Sequence, residues 1–323
     1  MPASSRKLVV QTAKIGDYIN STCVFDALFS NGVKFDVVID KTNESLAKYD
    51  ERIKCIYLQN YFRKNLFKKV KLAQLLFAQR YSEVIVLLPN QYNLFLGAFC
   101  TPTYNATIRT YGFGVSSKIL SLFYHRLIKH ERDHLTLDSY SKCIKNYDNV
   151  SYKKSLKLSN FSCYEVPNEK NLKIAGVSLS AGAKWKNLPI DEWQWVFSQL
   201  AKNNFLIAVI GIGDDAIKLK QILSERDFPI MNLINKVSLD QLPEVVSRFS
   251  LFVSSDSGPV YIADAVGVPT LVYAGPCHMH EQRPTGNCMI VEPKEVDGGG
   301  RKSYIFDTLK FGRFIKVFNF RDF

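Results

Sequence analysis

Asp256-Ser257-Gly258-Pro259 is the stretch of this chain whose residue types and order best suit chemistry. Ser250 to Val253 before it reads as a short buried strand. Tyr261 to Val266 after it reads as a small-residue helix that Gly267 stops, and Pro269 to Tyr273 as the next strand. The turn itself offers a capping side chain, a permissive Gly and a Pro in the first helical turn. A helix N-terminus of this kind presents backbone N–H groups and a positive dipole end, which suit a phosphate; it is also the ordinary βα connection of an α/β domain. A second carboxylate stands at Gly16-Asp17, just after the first strand, at the carboxyl edge where α/β domains bind ligands. At a helix start it either caps the dipole or accepts a proton from a substrate. Gln11 and Lys14 border the same turn and are candidate substrate contacts.

Two further loops carry polar groups. Ser180 to Pro189 places a hydroxyl and Lys186 ahead of a helix start, where an ammonium and loop N–H groups can neutralise a diphosphate; a solvated Lys-rich loop reads the same way. Gly211-Ile212-Gly213-Asp214-Asp215 is a fragment of a dinucleotide fingerprint with Ala216 at its third glycine position, and the acidic partner about twenty residues on is not clear. No D-x-D motif is present. His125, His130 and His134 include an i, i+4 pair but no H-E-x-x-H, so no metal site is expected.

The stretch from Ser254 to Pro276 resembles the C-terminal signature of glycosyltransferase family 9, the ADP-heptose:lipopolysaccharide heptosyltransferases. Asp256, Ser257, Gly258, Gly267, Val268, Pro269, Gly275 and Pro276 match that pattern, and Tyr261 stands where the family has a His. Lys7 to Leu28 (KLVVQTAKIGDYINSTCVFDAL) follows the family's opening strand, turn, Gly-Asp and helix. The resemblance implies that Asp17 is the catalytic base. It also implies that Ser180, Lys186, Asp256, Ser257, Gly258 and Tyr261 hold the diphosphate end of a nucleotide sugar. Lys186 matches the family's loop lysine, while Leu188 replaces its Trp. Asp214 or Asp215 would meet the ribose, and Val237 would pack near the base, where a core role is nearly as natural. The His278-Met279-His280 stretch is a candidate to replace lost donor contacts. The implied reaction is inverting transfer of heptose from ADP-heptose to the acidic inner core of lipopolysaccharide, with no cofactor or metal. Alternatives are another nucleotide sugar or acceptor, a non-catalytic basic module for anionic membrane or nucleic acid, and an NAD(P)-linked oxidoreductase.

These residues need a scaffold. Lys7 to Gln11, a helix over Tyr18 to Ser30, and Phe35 to Ile39 form a βαβ opening, which predicts a parallel sheet. Tyr61 to Arg80 reads as helical, Val84 to Leu88 as a strand, Leu94 onward as helical, Thr107 to Arg109 as a short strand and Lys118 to Lys145 as mainly helical. A second series runs through strands at Lys173 to Leu179, Phe205 to Ile210, Ile230 to Leu233 and Met289 to Val291. Its helices open at Pro189, Asp214 and Ser238, the last with Ser238 as N-cap. Polar residues punctuate the chain between the two series. This predicts two α/β lobes, 1–167 and 168–323, with a linker near 165–171. With the resemblance, the expectation is a GT-B fold, with 306–323 packing back on the first lobe or touching a membrane.

The chain has 323 residues and a net charge of +12. Residues 1–167 hold 24 Lys and Arg against 13 Asp and Glu, whereas the remainder is nearly balanced at 18 against 17. A basic first lobe predicts an acidic partner, such as a phosphorylated glycolipid or an anionic membrane surface. Phe62 to Arg80 interleaves basic and apolar residues and suits the same partner, or is a surface helix with one face in the core. Seven scattered cysteines without C-x-x-C spacing predict reduced thiols. No apolar run is long enough to span a membrane, and no signal-peptide core is visible. The expected location is the cytoplasm, peripheral to the inner membrane.

Overall fold

Strand β1 (Lys7–Gln11) buries four of its five residues and leads into α1 (Ile15–Phe29). The chain continues through β2 (Phe35–Ile39), the short α2 (Glu44–Lys48) and β3 (Ile53–Leu58). It then runs through α3 (Gln59–Phe62), α4 (Leu66–Ala78), β4 (Glu83–Val86), α5 (Gln91–Phe99) and β5 (Tyr104–Arg109). The first series closes with α6 (Val115–Ser121), β6 (Arg126–Lys129) and α7 (Thr136–Ser141). The second series comprises β7 (Lys173–Ser178), α8 (Ile190–Lys202), β8 (Phe205–Ile210), α9 (Asp215–Leu223) and β9 (Ile230–Asn232). It ends with α10 (Leu242–Ser247), β10 (Leu251–Ser255), α11 (Gly258–Ala265), β11 (Thr270–Tyr273) and β12 (Cys288–Val291). A further pair, β13 (Pro293–Val296) and β14 (Tyr304–Phe306), is antiparallel. The computed structural model describes residues 6–29, 32–62, 65–110, 113–131, 134–146, 153–158, 161–167, 172–182, 186–224, 227–274, 279–291, 293–296 and 304–306. The expected role of 306–323 therefore falls almost wholly outside the described residues, as do Gly275, Pro276 and His278.

The chain divides into two compact units, each α/β with a six-stranded parallel sheet, as expected. The first sheet runs β3-β2-β1-β4-β5-β6 and the second β12-β11-β10-β7-β8-β9. In each, the strand order reverses beside the first strand of the series. In such sheets the crevice at the reversal, outside the carboxyl ends of the strands, is where ligands bind. In the first unit it lies between β1 and β4. In the second it lies between β7 and β10.

Apolar periodicity explains the packing. In α8, Trp193, Val196, Phe197 and Leu200 recur at helical spacing and are fully buried against Val177, Ile207 and Val209 of the second sheet. In the first unit Leu72 and Leu76 of α4 share a core with Leu94 and Leu96 of α5 and with Val10, Val84 and Val86 of the sheet. Arg52 is fully buried. It pairs with Asp50 (2.6 Å) and Asp26 (2.7 Å) and bonds the Ser155 hydroxyl, tying the start of β3 to α1 and to the segment at 153–158.

Several expectations need correction. Lys118 to Lys145 is not mainly helical: β6 runs through it as an edge strand, pairing Ala106 with Arg126 and Ile108 with Ile128. Arg, Leu and Lys favour helix locally, but pairing with β5 overrides that weak preference. Ser238 does not cap a helix. Its hydroxyl and amide bond the Gln241 side chain in a turn (2.9 and 3.1 Å), and α10 begins at Leu242 with Pro243 in its first turn. The segment from Tyr61 to Arg80 is two helices, because Asn65 caps α4 through the Lys68 amide at 2.9 Å. The units part after Asn160 rather than after Pro167, and His280–Gln282 group with the first unit. Ser162 and Tyr164 bond Asp240 and Glu244, which draws 161–167 into the second unit.

Candidate functional site

Two candidate sites lie at the two strand-order reversals, one in each unit. In the first unit the turn after β1 is held from beneath by buried amides. Gln59 bonds Asn93, and Asn93 donates to the Thr12 hydroxyl (2.8 Å) and the Leu88 carbonyl (2.9 Å). Asn43 donates to the Ala13 carbonyl at 2.8 Å. Gln11, expected to touch a substrate, is fully buried. Its amide bonds the Tyr140 hydroxyl (3.2 Å) and the Asp17 carbonyl (3.4 Å), and its oxygen accepts from the Ala13 amide. It fixes the turn from inside.

Asp17 lies in the first turn of α1, where the helix dipole favours its negative charge. Gln282 Nε2 donates to Asp17 Oδ1 at 2.5 Å. Gln282 reaches this place because the Glu281 carbonyl accepts from the Thr136 amide at 2.8 Å. Burial, and then the charge of Asp17, pushes the Tyr140 phenol well above its ordinary range, so it stays neutral beside the carboxylate. Lys14 is an exposed cation of this turn. Its ammonium lies 3.6 Å from Asp40 and 3.4 Å from the Thr42 hydroxyl, with 77% of the side chain exposed. Burial opposes ionisation of Asp40, but bonds from the Thr42 hydroxyl and amide and from Asn60, together with Lys14, outweigh it and hold the carboxyl below its usual range.

In the second unit, Ser180 follows β7 and Asp256-Ser257 follows β10, so sheet order brings them side by side. Lys186 Nζ bonds Asp256 Oδ2 closely, and the Tyr261 hydroxyl donates to Asp256 Oδ1 at 3.1 Å. Tyr261, in the place of the family histidine, is buried and holds the carboxylate that holds the lysine. The expected capping side chain is not found. No side chain caps α11, which starts at Gly258, and the Ser257 hydroxyl bonds Ser254 at 2.7 Å instead. The Ser255 hydroxyl is buried with no hydrogen-bond partner at the end of β10.

The structure also separates the two aspartates after β8. Asp215 is buried and its carboxylate is engaged by Ser180, Lys218 and the Ile212 amide. It packs on Gly211, where a Cβ would lie 2.2 Å from Asp215 Oδ2, which is why this position has no side chain. Asp214 is exposed at the start of α9. Val237 is half-buried in a loop tied to the same turn, since Asn235 accepts from the Gly213 amide at 3.0 Å and its own amide reaches the Gly211 carbonyl. Lys218 was not singled out from sequence. Its Nζ donates to the Ser180 hydroxyl, and its only sequence signal is the i, i+3 spacing from Asp215. Gln282, Asn93 and Gln59 carry no such signal; only tertiary packing brings them to the turn.

Comparisons with known proteins place the family and the fold. Lipooligosaccharide heptosyltransferase 2 of Campylobacter jejuni is 26% identical over 114 residues, 35% of each chain, so the match spans about a third of that relative's length. The E. coli ADP-heptose lipopolysaccharide heptosyltransferase II superposes with a TM-score of 0.74 at 14% identity, covering 96% of this chain and 98% of that one. The E. coli heptosyltransferase WaaC with ADP gives 0.75 at 17% identity, covering 96% and 99%. At such identities the likeness is one of fold. The family model for glycosyltransferase family 9 (heptosyltransferase) matches residues 69–291, from within α4 through the Asp256-Ser257 turn to the end of β12. With more than half of its length so matched, this chain belongs to glycosyltransferase family 9.

Proposed function

We propose that the protein transfers a heptosyl group from ADP-heptose to the acidic inner core of a lipopolysaccharide, with inversion and without a metal. The observation that carries this reading is the Lys186–Asp256–Tyr261 cluster at the uncapped N-terminus of α11, within the stretch that the family model matches. Helix N–H groups and an ammonium suit a diphosphate. Lys186 would exchange Asp256 for the diphosphate when the donor binds, Lys218 and Ser180 would face the same charge, and the exposed Asp214 would meet the ribose.

Asp17 is the base in this scheme, although it lies outside the matched stretch. It takes the proton of the acceptor hydroxyl as that oxygen bonds the anomeric carbon. The bond from that carbon to the diphosphate oxygen breaks, and ADP leaves with its electron pair. Stabilisation of the departing diphosphate by fixed donors and lysine takes the place of a metal. The basic first half of the chain supports an acidic, membrane-borne acceptor, and with it a site of action at the cytoplasmic face of the inner membrane. Tyr261 in place of the family histidine favours a second reading, transfer of a different sugar from its nucleotide.

The test is mass spectrometry of a heptose-free lipid A–Kdo acceptor incubated with ADP-heptose, beside Asp17→Asn. We expect a heptose mass gain, unchanged by a chelator. In the variant it should fall by about 10²–10⁴-fold while ADP binding is kept. ADP binding without transfer would move the search to other sugars. Neither binding nor transfer would overturn the reading.

A further inference from the structure

Helices α4, α5 and α6 are the successive crossovers into β4, β5 and β6, and right-handed crossovers place all three on one face of the first sheet. Their inner sides share one core: Leu76 of α4, Leu94 of α5 and Leu120 of α6 pack on the same cluster. Their outer sides are apolar as well, which is abnormal for the solvent face of a helical layer. On α4, Phe67 is 89% exposed, and Leu66, Val70 and Phe77 form an exposed stripe beside it. The stripe continues onto α5, where Phe99 stands 5.5 Å from Phe77 and 5.3 Å from Phe95, ring centre to ring centre, all three exposed. On α6, Val115 and Ile119, and Leu122 just past its end, recur at helical spacing and are exposed, Leu122 at 82%, with Phe123 next to them.

The charge around this layer has one sign. From Gln59 to Phe123 the sequence holds eight Lys and Arg and one acidic residue, Glu83, which is buried in β4. None of the three helices carries a carboxylate. Two lysines of α4 lie over tyrosine rings, Lys68 4.2 Å from the centre of Tyr61 and Lys69 5.7 Å from that of Tyr92. Aromatic and aliphatic side chains with lysines among them, and no acid, match the interfacial layer of a bilayer with anionic headgroups. A second copy of the same face would set lysines against lysines.

We propose that the α4–α5–α6 layer is a docking face for an anionic phospholipid bilayer. This deepens the membrane contact of the proposed function by naming the surface, and it is tested without sugar donor or acceptor, so either reading can fail alone. Sedimentation of the full chain with phosphatidylcholine vesicles, with and without phosphatidylglycerol, is the measurement. We expect pelleting with the anionic vesicles only, weakening as salt rises. The pair Lys68→Glu and Lys71→Glu should lower the bound-to-free ratio at least about tenfold. The pair Phe67→Ser and Leu122→Ser should weaken binding at low and high salt alike, whereas Val33→Ser, an exposed apolar residue outside these helices, should leave it unchanged. Phe67, Lys71, Leu122 and Val33 are exposed and Lys68 is half-buried, and circular dichroism checks that each variant is folded. Three outcomes overturn the proposal. One is pelleting that ignores headgroup charge or survives both pairs. Another is no pelleting but self-association that Phe67→Ser with Leu122→Ser abolishes, which would assign the face to a second copy. The third is binding of an oligonucleotide in place of vesicles.

Discussion

Lys218 shows how much a single side chain contributes once its neighbours are known. It lies one turn past Asp214-Asp215, donates to Ser180, and sits 3.9 Å from Asp215. Asp215 keeps Ser180 and the Ile212 amide without it, so the turn should survive its loss. Lys218→Met should therefore weaken ADP binding by roughly tenfold, the scale of one charge-assisted hydrogen bond, with the melting temperature little changed; titration calorimetry measures it. Asp17 and Gln282 are the counterpart in the first unit. The amide fixes one carboxylate oxygen in place. The types Asp17, Lys186, Asp256 and Ser257 were legible in the sequence as candidates for this chemistry. Gln11 was legible as a residue of the turn but not as a buried one, because burial depends on α7 packing over it through Tyr140.

Elements place these side chains, and their own packing sets the tolerances. Helix α5 approaches β4 so closely at Gly97 that an added Cβ would lie 2.2 Å from the Tyr124 hydroxyl and 2.6 Å from Val86 Cγ2. The Tyr124 hydroxyl is itself committed to the Leu94 carbonyl at 2.9 Å. Gly97→Ala must lift the helix or break that bond. It should cost about 1–3 kcal/mol by urea unfolding, with a visible loss of cooperativity if α5 detaches alone. Most strands were readable from short β-branched runs, and the end of α11 from Gly267. That glycine adopts φ +81, with amide bonds from Gly267 to Asp264 and from Val268 to Ala263 closing the helix. Within the first sheet the strands that were not readable, β3 and β6, are its two edges. An edge strand is half solvated, so it carries Lys54 or Arg126 and Lys129 and loses the apolar run that marks a buried strand.

At the scale of the whole molecule, charge and titration follow from which segments meet. His130 is buried on the first unit, with Nδ1 2.9 Å from the Ser139 hydroxyl and Nε2 3.9 Å from Glu281. Burial lowers its pKa below the ordinary 6.5; Glu281 opposes the shift and His134 adds to it. Because the folded form holds this proton less tightly than the unfolded chain, stability is present above the unfolded pKa. It is lost as pH falls through about 6.5 toward the lower folded value. The melting temperature should drop over that window, and His130→Asn should flatten the slope. An unchanged slope would place the titrating group elsewhere. What the sequence by itself determined is local: the two α/β series, the prolines that open helices and the glycine that ends α11, the uneven charge, and the residue types at the strand ends. These depend on periodicity and on backbone preferences acting over a few residues. What only the tertiary structure decided is which of those residues meet. Lys186 reaches Asp256 across 70 positions, and Gln282 reaches Asp17 across 265. Sheet order and the grouping of His280–Gln282 with the first unit bring them together. The outer face of α4, α5 and α6 emerged in the same way. From the sequence, Phe62 to Arg80 reads as a surface helix with one face in the core, and only the shared layer shows that both sides are apolar.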